Sequence, residues 1–108
     1  MTLAEQGLSL ERADAEVAKL AKSFGGWMGD YLAQARAVLG QAEDEGAGHK
    51  ALFSVAHNIK GLAGSFGYSL ATDIVDNLCA DLRRRERLVA DVRRIARAHL
   101  DAVDIVLK

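Results

Sequence analysis

The sequence contains a histidine, a lysine three residues later and a glycine directly after the lysine. Residues of these types at this spacing can bind and react with an anionic group. They are His57, Lys60 and Gly61. An imidazole is a nucleophile near neutral pH, because a large part of it is unprotonated there. A lysine three positions later on a helix lies about one turn away, where its ammonium can hold an anion that the imidazole has accepted. The pattern therefore favours the receipt and release of an anionic group.

The helix predicted around His57 turns the imidazole away from its own apolar stripe. At about 100° per residue, the apolar residues fall within one narrow arc. They are Leu52, Val55, Ile59, Leu62 and Phe66. His57 falls almost opposite the centre of that arc, so we expect an exposed imidazole in the middle of a helix.

The face that carries His57 has an unusual composition. Gly61 and Gly64 lie within about 40° of the histidine, and two glycines in a helix interior cost roughly 2 kcal/mol of helix propensity relative to alanine. Phe53, one turn earlier, adds an apolar residue on the same side. We interpret Phe53, Gly61 and Gly64 as a surface where a partner protein docks.

The chemistry that fits this surface is phosphoryl transfer by a carrier. Hydrolysis would need a base, an orienting group and a pocket, and no such set lies at helix spacing around His57. We therefore predict that His57 is the phosphoacceptor, that Lys60 stabilises the phosphoryl group, and that the protein is no enzyme in its own right.

The sequence predicts that the secondary structure around this site is entirely helical. Alanine and leucine are the commonest residues, there is no proline, and apolar residues repeat at three and four positions. We expect a single all-α domain over 1–108, an antiparallel four-helix bundle with an additional N-terminal helix. The N-terminal helix region is 1–24 and the bundle is 27–108, with helices at about 28–43, 49–66, 69–85 and from about 88 to the C-terminus. Gly25-Gly26 marks a break or a kink, and the pattern leaves that alternative open.

Composition excludes several classes of function. The chain has 14 basic and 15 acidic residues, a net charge of −1, which argues against nucleic acid as a partner. No apolar run approaches the roughly 20 residues of a membrane span, and the first ten residues do not resemble a signal peptide. We expect a cytoplasmic protein with no cofactor, no metal site and, with Cys79 as its one cysteine, no internal disulfide.

The segment Ala56-His57-Asn58-Ile59-Lys60-Gly61, with Gly64, Gly67 and Leu70 after it, resembles the signature of histidine-containing phosphotransfer (HPt) domains. The resemblance implies that His57, at its Nε2 atom, exchanges a phosphoryl group with the aspartate of response-regulator receiver domains in a two-component phosphorelay. A hybrid histidine kinase is a further implied partner. Mg²⁺ is expected on the receiver domain and not on this chain. Many members have an arginine three residues before the histidine, where this chain has Ser54.

Two rival hypotheses remain open at this stage. One is a helical-bundle interaction or adaptor module that is never phosphorylated. The other is the dimerisation bundle of a histidine kinase, which fits less well because a full four-helix pattern lies within this one chain; we expect a monomer. The remaining candidates are read as structural: His49, His99, the basic run 83–87, and Trp27 with Tyr31 as core or bundle-end residues.

Overall fold

The described part of the chain forms four helices. The structure is a computed structural model that describes residues 3–41 and 48–107, with side chains described from Leu10 onward. The helices are α1 (Leu3–Gly40), α2 (His49–Ser65), α3 (Ser69–Arg83) and α4 (Ala90–Leu107). Each helix packs against two others, in the pairs α1·α2, α2·α3, α3·α4 and α1·α4. The prediction of an all-α four-helix bundle is confirmed; residues 42–47, between the first two bundle helices of the prediction, lie outside the described residues.

Within the described residues 3–41, the N-terminal helix that the sequence predicts is continuous with the first helix of the bundle. α1 runs without interruption through Gly25 and Gly26. Each glycine costs about 1 kcal/mol in a helix interior, but Phe24 and Met28 are buried on either side of the pair. The Phe24 ring also lies 4.7 Å from Tyr68 and 4.9 Å from Phe66, between centroids. Packing at both flanks outweighs the low helix propensity of the two glycines.

The N-terminal part of α1 projects beyond the bundle. Its 38 residues correspond to about 57 Å of helix, roughly twice the length of any other helix. The molecule accordingly measures 64 × 21 × 21 Å. Leu10, Val17 and Leu20 are exposed on this projection, whereas the core of α1 begins at Phe24.

The core is a continuous apolar cluster to which all four helices contribute. Its largest fully buried side chains include Leu39 of α1, Leu52 and Ile59 of α2, Leu78 and Leu82 of α3, and Leu100 of α4. Ala56 and Ala63 of α2 are also buried, while Val55 and Leu62 of α2, with Phe66 directly after its end, lie at the edge of the core. The buried face of α2 is thus rotated from the predicted stripe, towards Ala56 and Ala63.

Polar contacts fix α4 against the C-terminal half of α1. The Arg36 guanidinium lies 2.9 Å from Asp101 and 2.5 Å from Asp104, and these carboxylates raise its pKa. Arg93 and Arg97 donate to the Leu39 carbonyl oxygen at 3.0 and 2.8 Å. These bonds satisfy carbonyls that the end of a helix leaves without an intrahelical partner.

A glycine turn links α2 to α3. Gly67 adopts φ 78°, its amide donates to the Gly64 carbonyl at 3.2 Å, and the Tyr68 amide donates to the Ala63 carbonyl at 2.9 Å. This is the Schellman arrangement, which favours glycine at the left-handed position. It ends α2 two turns beyond His57 and directs α3 back along it.

No helix among the described residues is long and apolar enough to cross a bilayer.

Candidate functional site

His57 lies in the middle of α2 with its side chain exposed to solvent. Leu52, Ala56, Ile59 and Ala63 face the core from the same helix. Within the described residues the imidazole has no hydrogen-bond or ion-pair partner. Both ring nitrogens are therefore accessible, as a group that must react with another molecule requires.

Phe53 connects the imidazole to the edge of the core. Its ring is nearly parallel to that of His57, with an interplanar angle of 15° and 6.4 Å between centroids. The Arg83 guanidinium of α3 lies 5.6 Å from the Phe53 centroid, within range of a cation–π contact. Phe53 is partly buried against the core, so it packs against the bundle while a smaller part of it remains on the surface.

Lys60 reaches across to the neighbouring helix. Its Nζ donates to Asp76 Oδ1 of α3 at 2.6 Å. That hydrogen bond, with the positive charge of Lys60, lowers the pKa of Asp76. The ammonium that the sequence places beside His57 is thus paired with a carboxylate in this state of the protein.

Gly61 leaves open space one turn beyond His57. A Cβ atom built at Gly61 would have no neighbouring heavy atom within 4 Å, whereas at Gly64 it would lie 3.9 Å from Thr72 Oγ1 of α3. No neighbouring helix therefore requires a glycine at Gly61. Gly64 lies closer to α3 but is also free of any close approach.

A groove beside His57 brings α1 into the site. It has a volume of about 420 Å³ and is open to solvent. Trp27 and Tyr31 of α1 form one wall; the α2 wall consists of His57, Asn58, Gly61, Leu62 and Ser65. Sequence reasoning assigned Trp27 and Tyr31 to the core or the bundle end. Trp27 is instead 47% exposed, with its ring 6.3 Å from that of Phe66.

The other histidines and the cysteine have structural surroundings. His49 Nε2 donates to the Leu82 carbonyl. His99 Nδ1 donates to the Ile95 carbonyl at 2.8 Å, which leaves Nε2 to accept from Asn77 at 3.1 Å. Cys79 is fully buried, and burial raises the pKa of its thiol. None of the three groups is as accessible as His57.

In the part of the chain that the structure describes, no three His, Cys, Asp or Glu residues cluster in a way that could hold a metal ion. The absence of a cofactor stays a prediction.

Comparison with known families gives one match. The model of the Hpt domain matches residues 19–105, which include every residue of the site described above. No curated protein and no solved structure matches the chain significantly.

Proposed function

This chain belongs to the Hpt domain family, and from that premise we propose that it is a histidine phosphocarrier that acts through His57. Hpt domains serve phosphotransfer in two-component signalling, with response regulators and histidine kinases as partners in general. The finer proposal is that His57 accepts a phosphoryl group from the aspartate of one receiver domain and returns it to that of another.

The observation that carries the proposal is the combination of access and space at His57. The imidazole is exposed and unbonded among the described residues, and Gly61 leaves open space beside it. A phosphoryl group passes directly between two side chains only if their reacting atoms come within about 3–3.5 Å. A long side chain at position 61 would obstruct the partner's approach.

The transfer step needs little from this chain beyond positioning. An unprotonated imidazole nitrogen, Nε2 by the family resemblance, bonds to phosphorus while the P–O bond to the receiver aspartate breaks. The electron pair of that bond leaves with the carboxylate, and the other ring nitrogen keeps its proton. The donating step is the reverse. Lys60 would stabilise the charge on the phosphoryl oxygens, and we expect the Mg²⁺ of the reaction on the receiver domain.

The docking surface in this proposal consists of Phe53, Gly61 and Gly64, and the groove adds Trp27 and Tyr31 to it. Aromatic side chains beside an accessible centre are typical of surfaces that bind proteins. We further propose a monomeric carrier, because the four helices of one chain already form the bundle. The molecular mass at low concentration tests that statement.

The test is phosphotransfer profiling against the receiver domains of the source organism. We expect acid-labile, base-stable label on the wild-type chain and none on His57→Gln. His99→Gln is the matched control, because His99 bonds within the protein, and it should keep the label. A wild-type chain that binds a receiver domain but never takes up label would instead identify a docking module without phosphorylation.

A further inference from the structure

The lysine beside His57 already has an anionic partner. Lys60 Nζ lies 2.6 Å from Asp76 Oδ1, and the pair joins α2 to α3. Both side chains are partly open to solvent, with 33% of Lys60 and 54% of Asp76 exposed. The charged groups that act on Asp76 are Lys60 and, from its own helix, Arg83.

A phosphoryl group on His57 would compete with this carboxylate. It brings negative charge and three strong acceptor oxygens, and Lys60 lies one helical turn from His57 on the same helix. A lysine ammonium has three donors on a flexible stem, so it can turn from Asp76 towards His57 without any movement of the backbone. Each contact with the phosphoryl group then weakens the contact with Asp76.

We propose that Asp76 is a positioning residue that holds Lys60 in the unphosphorylated protein and competes with the phosphoryl group for it. This inference rests on the proposed phosphocarrier function. Asp76 would make phosphorylation of His57 less favourable and onward transfer easier, so that the phosphoryl group does not stay on the carrier. A relay intermediate needs such a balance, because a phosphoryl group held too tightly would not reach the next aspartate.

The solvent exposure of Lys60 and Asp76 limits how far Asp76 can shift the phosphorylation equilibrium of His57. An ion pair between solvent-exposed side chains changes an equilibrium constant by roughly two- to fivefold. Asp76 therefore adjusts the distribution of phosphoryl groups and does not switch transfer on or off.

The experiment measures the ratio of phosphorylated chain to phosphorylated receiver at equilibrium, with the receiver domain that exchanges fastest in the profiling above. Asp76→Asn should raise the ratio by roughly two- to fivefold, and Asp76→Glu, which keeps the carboxylate, should restore it towards the wild-type value. Asp73→Asn is the matched control. It removes the same charge one turn earlier on α3, where the carboxylate has no ion pair within the described residues, and should leave the ratio unchanged.

A double-mutant cycle shows whether Asp76 acts through Lys60. Lys60→Met should lower the ratio, and adding Asp76→Asn to it should cause no further change. An equal rise in the Lys60→Met background would overturn the inference, because Asp76 would then act by direct repulsion. An unchanged ratio in Asp76→Asn alone would also overturn it while leaving the carrier function intact. A wild-type chain that takes no label contradicts both proposals.

Discussion

His57 contributes little to the packing of the bundle. Among the described residues its one ring contact is with Phe53, and the 6.4 Å between centroids is near the outer limit for an aromatic pair. We therefore expect His57→Ala to change the free energy of unfolding by less than about 0.5 kcal/mol while abolishing phosphoryl acceptance. Thermal melts and labelling measure the two effects. Ile59→Ala, at a buried position of the same helix, is the contrasting variant and should cost about 2–5 kcal/mol.

Gly61 gives a second prediction at this scale. Because a Cβ there meets nothing within 4 Å, Gly61→Ala should stabilise the protein by roughly 0.5–1 kcal/mol through higher helix propensity. Transfer should be somewhat slower. Gly61→Gln should keep near-native stability but block transfer much more strongly, because its side chain stands one turn from the imidazole. Thermal melts beside a phosphotransfer time course measure both properties.

A matched control for Gly61 lies on α1. Gly29 is also in open space, but it lines a different groove, with Phe24 and Met28. Gly29→Ala should stabilise the protein by a similar amount and leave transfer unchanged. A destabilised Gly61→Ala with a normal initial rate of transfer would contradict the docking role of Gly61.

The Lys60–Asp76 pair predicts a pH effect in the unphosphorylated protein. Lys60 lowers the pKa of Asp76 below its ordinary value of 3.8. The stability that the pair contributes is therefore complete above the unfolded-state pKa and is lost as the pH falls through the lower folded-state pKa. A carboxyl-carbon NMR titration should place the Asp76 midpoint below 3.8, and Lys60→Met should raise it. Equal midpoints in the two proteins would show that the ion pair does not persist in solution.

For single residues, the sequence predicted which side chains are exposed but not which side chains form ion pairs. The periodicity of α2 predicted an exposed face at His57, because that face depends only on the helix itself. The pairing of Lys60 with Asp76 depends on the register between α2 and α3, which periodicity does not fix. The spacing of one helix therefore could not show that the ammonium beside His57 is already bonded.

At the scale of elements, the predicted ends of α2, α3 and α4 lie within about two residues of those in the structure. The sequence left open whether α1 breaks or kinks at Gly25-Gly26, and the structure shows one continuous helix there. Gly25 and Gly26 favour a break locally, and only the burial of Phe24 and Met28 around them keeps α1 continuous. Trp27 is more exposed than the sequence predicts, because the groove that it lines lies between α1 and α2, whereas Tyr31 is partly buried against the core, as expected.

In the turn between α2 and α3, replacing a glycine by alanine should change the stability in the opposite direction to the same replacement at Gly61. Gly67 has φ 78°, a conformation that costs other residues about 1–2 kcal/mol. Gly67→Ala should therefore destabilise the protein by about that amount, although a Cβ at Gly67 would have no neighbour within 4 Å. Melting temperatures of the Gly61→Ala and Gly67→Ala variants should shift in opposite directions. A stabilised Gly67→Ala would show that the turn does not hold this conformation in solution.

At the scale of the whole molecule, α1 has two parts with different surroundings. Phe24, Met28, Leu32, Ala35 and Leu39 of its second part are buried in the bundle, whereas Leu10, Val17 and Leu20 of its first part are exposed. The family match begins at residue 19, close to this boundary. The bundle and the site beside His57 thus use the second part of α1, through residues such as Trp27 and Tyr31.

This division predicts that residues 1–18 are dispensable for folding and for transfer. The side chains described in this segment, from Leu10 to Ala18, are all exposed, so the loss of these nine side chains takes away almost no buried apolar surface. A chain that starts at Lys19 should change in melting temperature by no more than a few degrees and should accept label on His57 at the wild-type rate.

A chain that starts at Asp30 is the contrasting variant. It loses the buried Phe24 and Met28, together with the Trp27 wall of the groove, and should be strongly destabilised. A large loss of stability in the chain that starts at Lys19 would mean that the projecting part of α1 packs against another surface in solution, and the apolar stripe of Leu10, Val17 and Leu20 would then be that contact.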